Sequence, residues 1–221
     1  MFSQLERMET KLTVSELFTH SKETISDYLA GIYEHSRWVS EALVQKTDVC
    51  SSLSTVSGLA TAMKAIVDEA SNDQKLSLLC AHPDLCEKVG KMEQLTKESQ
   101  EEQSKAGLQS MTNEELERFT CYNKAYKEKF GFPFILAVRN STKYTVLSAL
   151  EGRLANSAEK EFVTAMEQVH KIAWMRLLSK LNTDDAAGFL TCHVLDTANG
   201  IPGRFYISCQ QFSIGSLLLV L

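Results

Sequence analysis

CAHPDLCEKVGKMEQLTKESQEEQSKAGL, residues 80–108, contains a His-Pro pair followed by a segment with helical periodicity. Pro83 disfavours helical dihedral angles at His82 and cannot continue a hydrogen-bonded turn, so the preceding helix is predicted to end near Cys80. His82 is then expected at an exposed corner at the end of that helix, where its side chain can reach a cavity.

The segment 91–105 has apolar residues at helical spacing, and polar residues interrupt its apolar face. That face carries Met92, Leu95, Ser99, Glu102, Gln103 and Ala106. A carboxylate buried in such a stripe must find partners or shift its pKa, which is typical of a functional site. The alternatives are structural: a His-Pro pair at a helix end is often a cap or turn, and a Glu-Gln pair is often solvated surface.

The combination of AHPDL, Ser-x-x-Glu-Gln with its Glu twenty residues after the His, and AGL resembles a known family. It is similar to the 2-oxo-4-hydroxy-4-carboxy-5-ureidoimidazoline (OHCU) decarboxylases of urate degradation, a branch of purine metabolism. The resemblance implies that His82 and Glu102 are catalytic. It also implies that Pro83, Ser99 and Gln103 contact the substrate.

Composition is that of an ordinary globular protein: 221 residues, 44% hydrophobic and 23% charged. The net charge of −5 and the lack of a basic block argue against a nucleic-acid partner.

Six cysteines without a C-x-x-C pair, and no secretory segment, are typical of reduced thiols in an intracellular protein. Cys80-x-His82-x-x-x-Cys86 could be a fragment of a metal site but lacks a second half, so no metal is predicted. The terminal FSIGSLLLVL is too short to span a membrane.

Capping-box patterns predict three helix starts, at Thr13, Ser71 and Thr112. Further helices are predicted over 21–33, 52–70, 141–154 and 159–181, which makes the fold class all-α. The segment YEHSRWV, residues 33–39, lies between the helices predicted over 21–33 and 52–70. It also resembles the family, which has a glutamate and a tryptophan close together there. We interpret Trp38 as a core anchor.

The run FGFPFILAV has two competing interpretations. Propensity alone makes 132–138 typical of a buried strand. The surrounding N-x-x-Y-x-x-K-F-G-F-P-F-I also resembles a signature of the same all-helical family, which implies an extended segment whose backbone groups at Phe134 and Ile135 hold the substrate. No second strand is predicted nearby and Pro133 suits an irregular segment, so we favour the extended segment.

The last predicted helix carries a cation on its apolar face. Arg176 falls in the same arc as Met166 and Ala173, whereas Lys171 points the opposite way. Arg176 could snorkel or pair with a structural glutamate, or it could bind a carboxylate through its planar fork of donors. KIAWMRL, residues 171–177, is similar to the family pattern that carries the carboxylate-binding arginine, and this favours the second role.

The chain is predicted to have two parts, a helical domain over 1–181 and a short β-type tail over 182–221. LTCHVLDTANGIPG, residues 190–203, resembles the opening strand of transthyretin-like 5-hydroxyisourate hydrolases, with His193 at the catalytic first-strand position. The resemblance ends near Gly203, so we interpret the tail as a truncated or alternatively spliced second domain that is poorly ordered.

The resemblance implies a cofactor-independent lyase that converts the small-molecule ureidoimidazoline substrate to (S)-allantoin. It also implies a homodimer, in the cytoplasm or the peroxisome. Two alternatives stay open: a non-catalytic helical scaffold or dimerisation module, in which Glu102 is dispensable, and a bifunctional enzyme that retains hydrolase activity in the tail.

Overall fold

The computed structural model of the chain describes residues 11–46, 53–85, 111–139 and 141–183, together with four residues in two short strands. Eight helices occur in these ranges: α1 Val14–Leu17, α2 Lys22–Leu29, α3 Trp38–Gln45, α4 Val56–Glu69, α5 Asn72–Ala81, α6 Asn113–Phe130, α7 Lys143–Arg153 and α8 Ala158–Lys180. The strands are β1 Leu195–Asp196 and β2 Ile201–Pro202. The predicted helical fold is confirmed.

Helix starts follow the local sequence closely. Seven of the eight described helices begin after a Ser or Thr whose side-chain oxygen accepts a hydrogen bond from a backbone N–H of the first turn. The predicted capping boxes at Thr13, Ser71 and Thr112 are all present. The helix predicted from residue 52 begins at Val56 instead, because Thr55 caps it by accepting from the Gly58 N–H.

Two helix ends also have local causes. α5 ends at Ala81, and His82 adopts the extended conformation (φ −71°, ψ 138°) that the following proline favours. α6 ends at Phe130 because Gly131 takes a left-handed conformation, φ 78°, and donates its N–H to the Lys127 carbonyl at 2.9 Å.

The segment 132–138 is neither helix nor strand. Side chains from α7 and α8 bind its backbone: Arg153 Nη1 donates to the Ile135 carbonyl at 2.7 Å, and the Ala137 N–H donates to Gln168 Oε1 at 3.2 Å. The prediction of a non-strand segment is therefore confirmed, and the propensity for a strand is overridden because helices surround the segment.

Helix α8 lies at the centre of the fold and contacts α4, α5 and α6. Its buried side chains recur at helical spacing: Glu161, Ala165, Met166, Val169, Ile172, Ala173, Arg176 and Leu177. The predicted burial of Arg176 and exposure of Lys171 are confirmed. Trp38 is half-buried and packs against the core, as expected of a core anchor.

A carboxylate in the first turn of α8 joins three helices. Glu161 is fully buried and accepts hydrogen bonds from Tyr126 of α6, from Arg153 at the end of α7 (Nε, 2.7 Å) and from Asn156 Nδ2 (2.6 Å). Arg153 also stacks over the Phe134 ring, with its guanidinium carbon 4.7 Å from the ring centroid. This cluster therefore fixes the extended segment against α6, α7 and α8.

The two strands form a single antiparallel pairing, with Leu195 opposite Pro202 and Asp196 opposite Ile201. Pairing of two residues per strand does not test the transthyretin-like interpretation, and the division at residue 181 stays a prediction. Leu181 is buried, and the Asn182 N–H donates to the Leu12 carbonyl at 2.8 Å. In the described ranges, no helix has the length and apolarity needed to cross a membrane.

Replacing Glu161 by glutamine is expected to destabilise the fold strongly, because it leaves the Arg153 charge buried without a counter-charge. Breaking one side of a buried pair costs about 3–5 kcal/mol, which lowers Tm by roughly 10 °C in a chain of this size. Thermal unfolding followed by circular dichroism measures the change. Glu167→Gln, on the exposed side of the same helix, is the control, and an equal Tm for both variants would contradict the structural role of Glu161.

Candidate active site

His82 lies at the C-terminal end of α5 and is buried, with only 6% of its surface exposed. The expectation of an exposed corner is therefore wrong. The sequence-based argument considered only the end of the helix, whereas α5 packs on α8 and buries Leu78 and Leu79 beside the histidine. Pro83 follows it and is half-buried.

The histidine ring has a defined tautomer. His82 Nδ1 lies 2.9 Å from the Leu78 carbonyl oxygen, which can only accept a hydrogen bond, so Nδ1 carries the hydrogen. In the neutral ring Nε2 then has an unprotonated lone pair. Leu78 is one turn earlier in α5, so the bond also satisfies a carbonyl at the helix end.

Burial lowers the pKa of His82 to about 4. The positive charge of Arg176 and the nearby His35 lower this pKa further, whereas the Leu78 hydrogen bond and the charge of Glu34 oppose the shift. Because removal from water penalises the charged ring most, His82 is neutral at neutral pH. A neutral, buried imidazole with an available lone pair can accept a proton.

Arg176 lies near the C-terminal end of α8 with 6% of its surface exposed. Its Nη1 lies 2.6 Å from Glu34 Oε2 and donates to the Gly31 carbonyl at 3.2 Å. Arg176 is thus paired with a glutamate, as its structural interpretation requires. It is also a buried guanidinium close enough to His82 to affect its pKa, as a substrate-binding role requires.

Glu34 is a site residue that sequence reasoning did not assign. It is 2% exposed and lies between α2 and α3, in a turn without the periodicity that reveals which side chains face inward. The next residue, His35, has a positive φ of 45°. The available signal was the resemblance of YEHSRWV to the family, which has a glutamate in this segment.

The corner after His82 is anchored to α6. Asp84 is buried, accepts a hydrogen bond from Asn123 Nδ2 at 2.5 Å and pairs with Lys127 Nζ at 2.9 Å. These contacts hold the chain that leaves α5 in one position. His82 is consequently fixed from both sides, by α5 before it and by Asp84 after it.

The other predicted site residues fall into two groups. Phe134 and Ile135 are buried in the extended segment, and the Ile135 carbonyl is bound by Arg153. Ser99, Glu102 and Gln103 lie outside the described residues.

In the described part of the chain, no group of three or more His, Cys, Asp or Glu side chains is placed to hold a metal ion. Cys80 is exposed, with its Sγ 3.8 Å from the Gly131 carbonyl, whereas His82 is buried. Cys86, the other possible ligand, lies outside the described residues.

Known proteins similar to this chain cover most of its length. Residues 19–178 match the family model described as OHCU decarboxylase. The 2-oxo-4-hydroxy-4-carboxy-5-ureidoimidazoline decarboxylase of Halalkalicoccus jeotgali is 41% identical over 168 residues, which cover 76% of this chain and 91% of that protein.

Two solved structures are similar. A crystal structure of (S)-allantoin synthase is 55% identical with a TM-score of 0.69, and the match covers 86% of this chain but 62% of that longer chain. A crystal structure of OHCU decarboxylase in the presence of (S)-allantoin has a TM-score of 0.54 over 72% of this chain and 97% of that one. At 21% identity, the second likeness concerns the fold alone. The family match over most of the sequence and the relative at 41% identity show that the chain belongs to the OHCU decarboxylase family.

Proposed function

We propose that this chain catalyses the cofactor-independent decarboxylation of 2-oxo-4-hydroxy-4-carboxy-5-ureidoimidazoline to (S)-allantoin, a carboxy-lyase reaction of urate degradation. The observation that carries the proposal is the buried, neutral His82 in the same electrostatic environment as the Arg176–Glu34 pair. Membership of the OHCU decarboxylase family supports the substrate. A proton acceptor beside a buried guanidinium suits a substrate that has a hydroxyl and a carboxylate on one carbon.

The chemistry requires no electron sink from the protein. Breaking the bond between the ring carbon and its carboxylate releases carbon dioxide, and the electron pair left behind moves into the adjacent ring C=N. The hydroxyl on the same carbon loses its proton and becomes the carbonyl of the product. The neighbouring ring carbon and the ring nitrogen each gain a proton. One proton is consumed overall, because an anionic carboxylate leaves as neutral carbon dioxide.

In this reaction the unprotonated Nε2 of His82 would take the hydroxyl proton, and the resulting imidazolium would donate to one face of the neighbouring ring carbon. Donation from one side gives a single enantiomer. Arg176 would bind the carboxylate or the ureido group through its donors. Burial would exclude water from both steps.

The remaining roles rest on the family resemblance. Glu102 would orient His82 or polarise the substrate, and Ser99 and Gln103 would donate hydrogen bonds from the cavity wall. Backbone groups of Phe134 and Ile135 would hold the ring, beside Pro83. We also infer a homodimer in the cytoplasm or the peroxisome.

Residues 182–221 are proposed to form a segment separate from the helical domain, with a transthyretin-like opening strand. The antiparallel pairing of β1 with β2 is compatible with this proposal.

Replacing His82 by asparagine should lower kcat/KM by about 10²–10⁴-fold, the usual contribution of a general acid–base group. Asparagine has a similar size and can still donate to the Leu78 carbonyl, so Tm should change little. The assay follows (S)-allantoin formation from freshly generated substrate by circular dichroism. His20→Asn, at an exposed position, is the control. Retention of more than roughly a tenth of the wild-type value by His82→Asn would rule out this role.

Replacing Arg176 by lysine should lower kcat/KM by about 10- to 100-fold although the charge is kept, because the planar fork of donors is lost. The matched control is Arg37→Lys, whose arginine is half-exposed and pairs with Asp27 and Glu41 on the surface. If Arg176→Lys has normal kinetics and Arg176→Ala changes only Tm, Arg176 has a structural role alone.

A chain shortened to end at Thr183, which keeps the Asn182–Leu12 hydrogen bond, should retain full decarboxylase activity. It should also be more soluble, because the apolar stretch 217–221 is an aggregation hazard when exposed. Both lengths are assayed for decarboxylation and for 5-hydroxyisourate hydrolysis. Loss of decarboxylation on shortening would show that the tail supports the helical domain, and hydrolysis by the full chain would show that the tail is catalytic.

A further inference from the structure

The arginine proposed to bind the substrate carboxylate already carries a buried counter-charge. Glu34 Oε2 lies 2.6 Å from Arg176 Nη1, and the side chains of Glu34 and Arg176 are 1% and 6% exposed. The Gly31 carbonyl accepts from the same Nη1.

A buried arginine without a counter-charge would favour binding of the substrate carboxylate over its decarboxylation. The substrate carboxylate carries a full negative charge before the reaction, and that charge spreads into the ring as carbon dioxide leaves. An unopposed guanidinium in a site of low dielectric constant would stabilise the concentrated charge of the substrate more than the dispersed charge of the transition state. Such binding lowers KM without raising kcat, because only interactions that are stronger in the transition state accelerate the reaction.

We propose that Glu34 is a positioning residue that offsets the charge of Arg176, so that the guanidinium orients the substrate carboxylate without holding it too tightly to react. This inference rests on the proposed decarboxylase function. Stability alone does not explain the Glu34–Arg176 ion pair, because the desolvation cost of burying two charges is about as large as their attraction. A role in catalysis explains why the pair is buried at this site.

The backbone conformation around Glu34 supports a specific inward position of its side chain. His35 is the one non-glycine residue with a positive φ among those described. Its side chain is 66% exposed, whereas Glu34 and the preceding Tyr33 are buried. The Ser36 N–H donates to the Tyr33 carbonyl at 3.1 Å and closes this turn. Uncommon backbone conformations persist where the surroundings hold them, often beside functional groups, and here the conformation separates an inward Glu34 from an outward His35.

The test is the direction in which KM and kcat move in Glu34→Gln. Glutamine keeps the size and removes the charge, so Arg176 should hold the substrate more tightly and KM should fall by about 3- to 10-fold. The value of kcat should fall as well, by about 10-fold or more, because the added binding is to the substrate and not to the transition state. Damage to the fold alone would raise KM or leave it unchanged while lowering Tm.

Glu34→Asp provides a graded second variant, which is also the test if Glu34→Gln does not fold. Aspartate keeps the charge and withdraws it by one methylene, so KM and kcat should both fall, less than in the glutamine variant. Glu115→Gln is the matched control: Glu115 pairs with Lys143 Nζ at 2.7 Å, away from His82, and glutamine also serves in its capping box. This control should keep wild-type KM and kcat.

The outcomes separate the two proposals. A wild-type chain that does not release carbon dioxide from the substrate overturns the proposed function and this inference with it. An active wild type, combined with Glu34 variants whose KM rises or whose kinetics do not change, overturns the inference alone. A parallel fall of KM and kcat, with Glu115→Gln unaffected, supports it.

Discussion

Helix α8 buries two opposite charges on one face, and the rest of the described fold depends on neutralising both. Glu161 lies in its first turn, where the helix dipole favours a carboxylate, and Arg176 lies nearer its C-terminal end. A buried charge without a partner is costly, so α8 can dock only where both ends meet counter-charges. Arg153, eight residues before Glu161, supplies one counter-charge, and Glu34, between α2 and α3, supplies the other. The position of α8 is therefore determined at two separate points.

These two ion pairs also define the candidate site. At the first, the arginine that neutralises Glu161 binds the Ile135 carbonyl and so holds the extended segment without a neighbouring strand. At the second, the glutamate that neutralises Arg176 lies close enough to His82 to affect its protonation. The same contacts that orient α8 thus position the groups to which we assign chemistry. A change at either pair should therefore affect both stability and activity.

The electrostatics of the site keep the His82 ring unprotonated, so that its lone pair is available at neutral pH. Desolvation keeps His82 neutral, and the opposite charges of Arg176 and Glu34 partly cancel in their effect on it. A substrate carboxylate entering beside Arg176 would add a negative charge and so raise the basicity of His82. Binding of the substrate would therefore prepare the imidazole to take the hydroxyl proton.

The sequence by itself determined the features that depend on neighbours within about one turn. Ser and Thr caps begin the helices, Pro83 and Gly131 end two of them, and helical spacing puts Arg176 on the buried face. The family resemblance added the roles of Ser99, Glu102 and Gln103, which stay predictions. Only the tertiary structure decided the burial of His82 and the partners of Arg176, because Gly31 and Arg176 are 145 residues apart. Local sequence patterns specify which face of a helix is apolar. The counter-charge of a buried residue on that face comes from the element that packs against it, and local patterns do not specify which element this is.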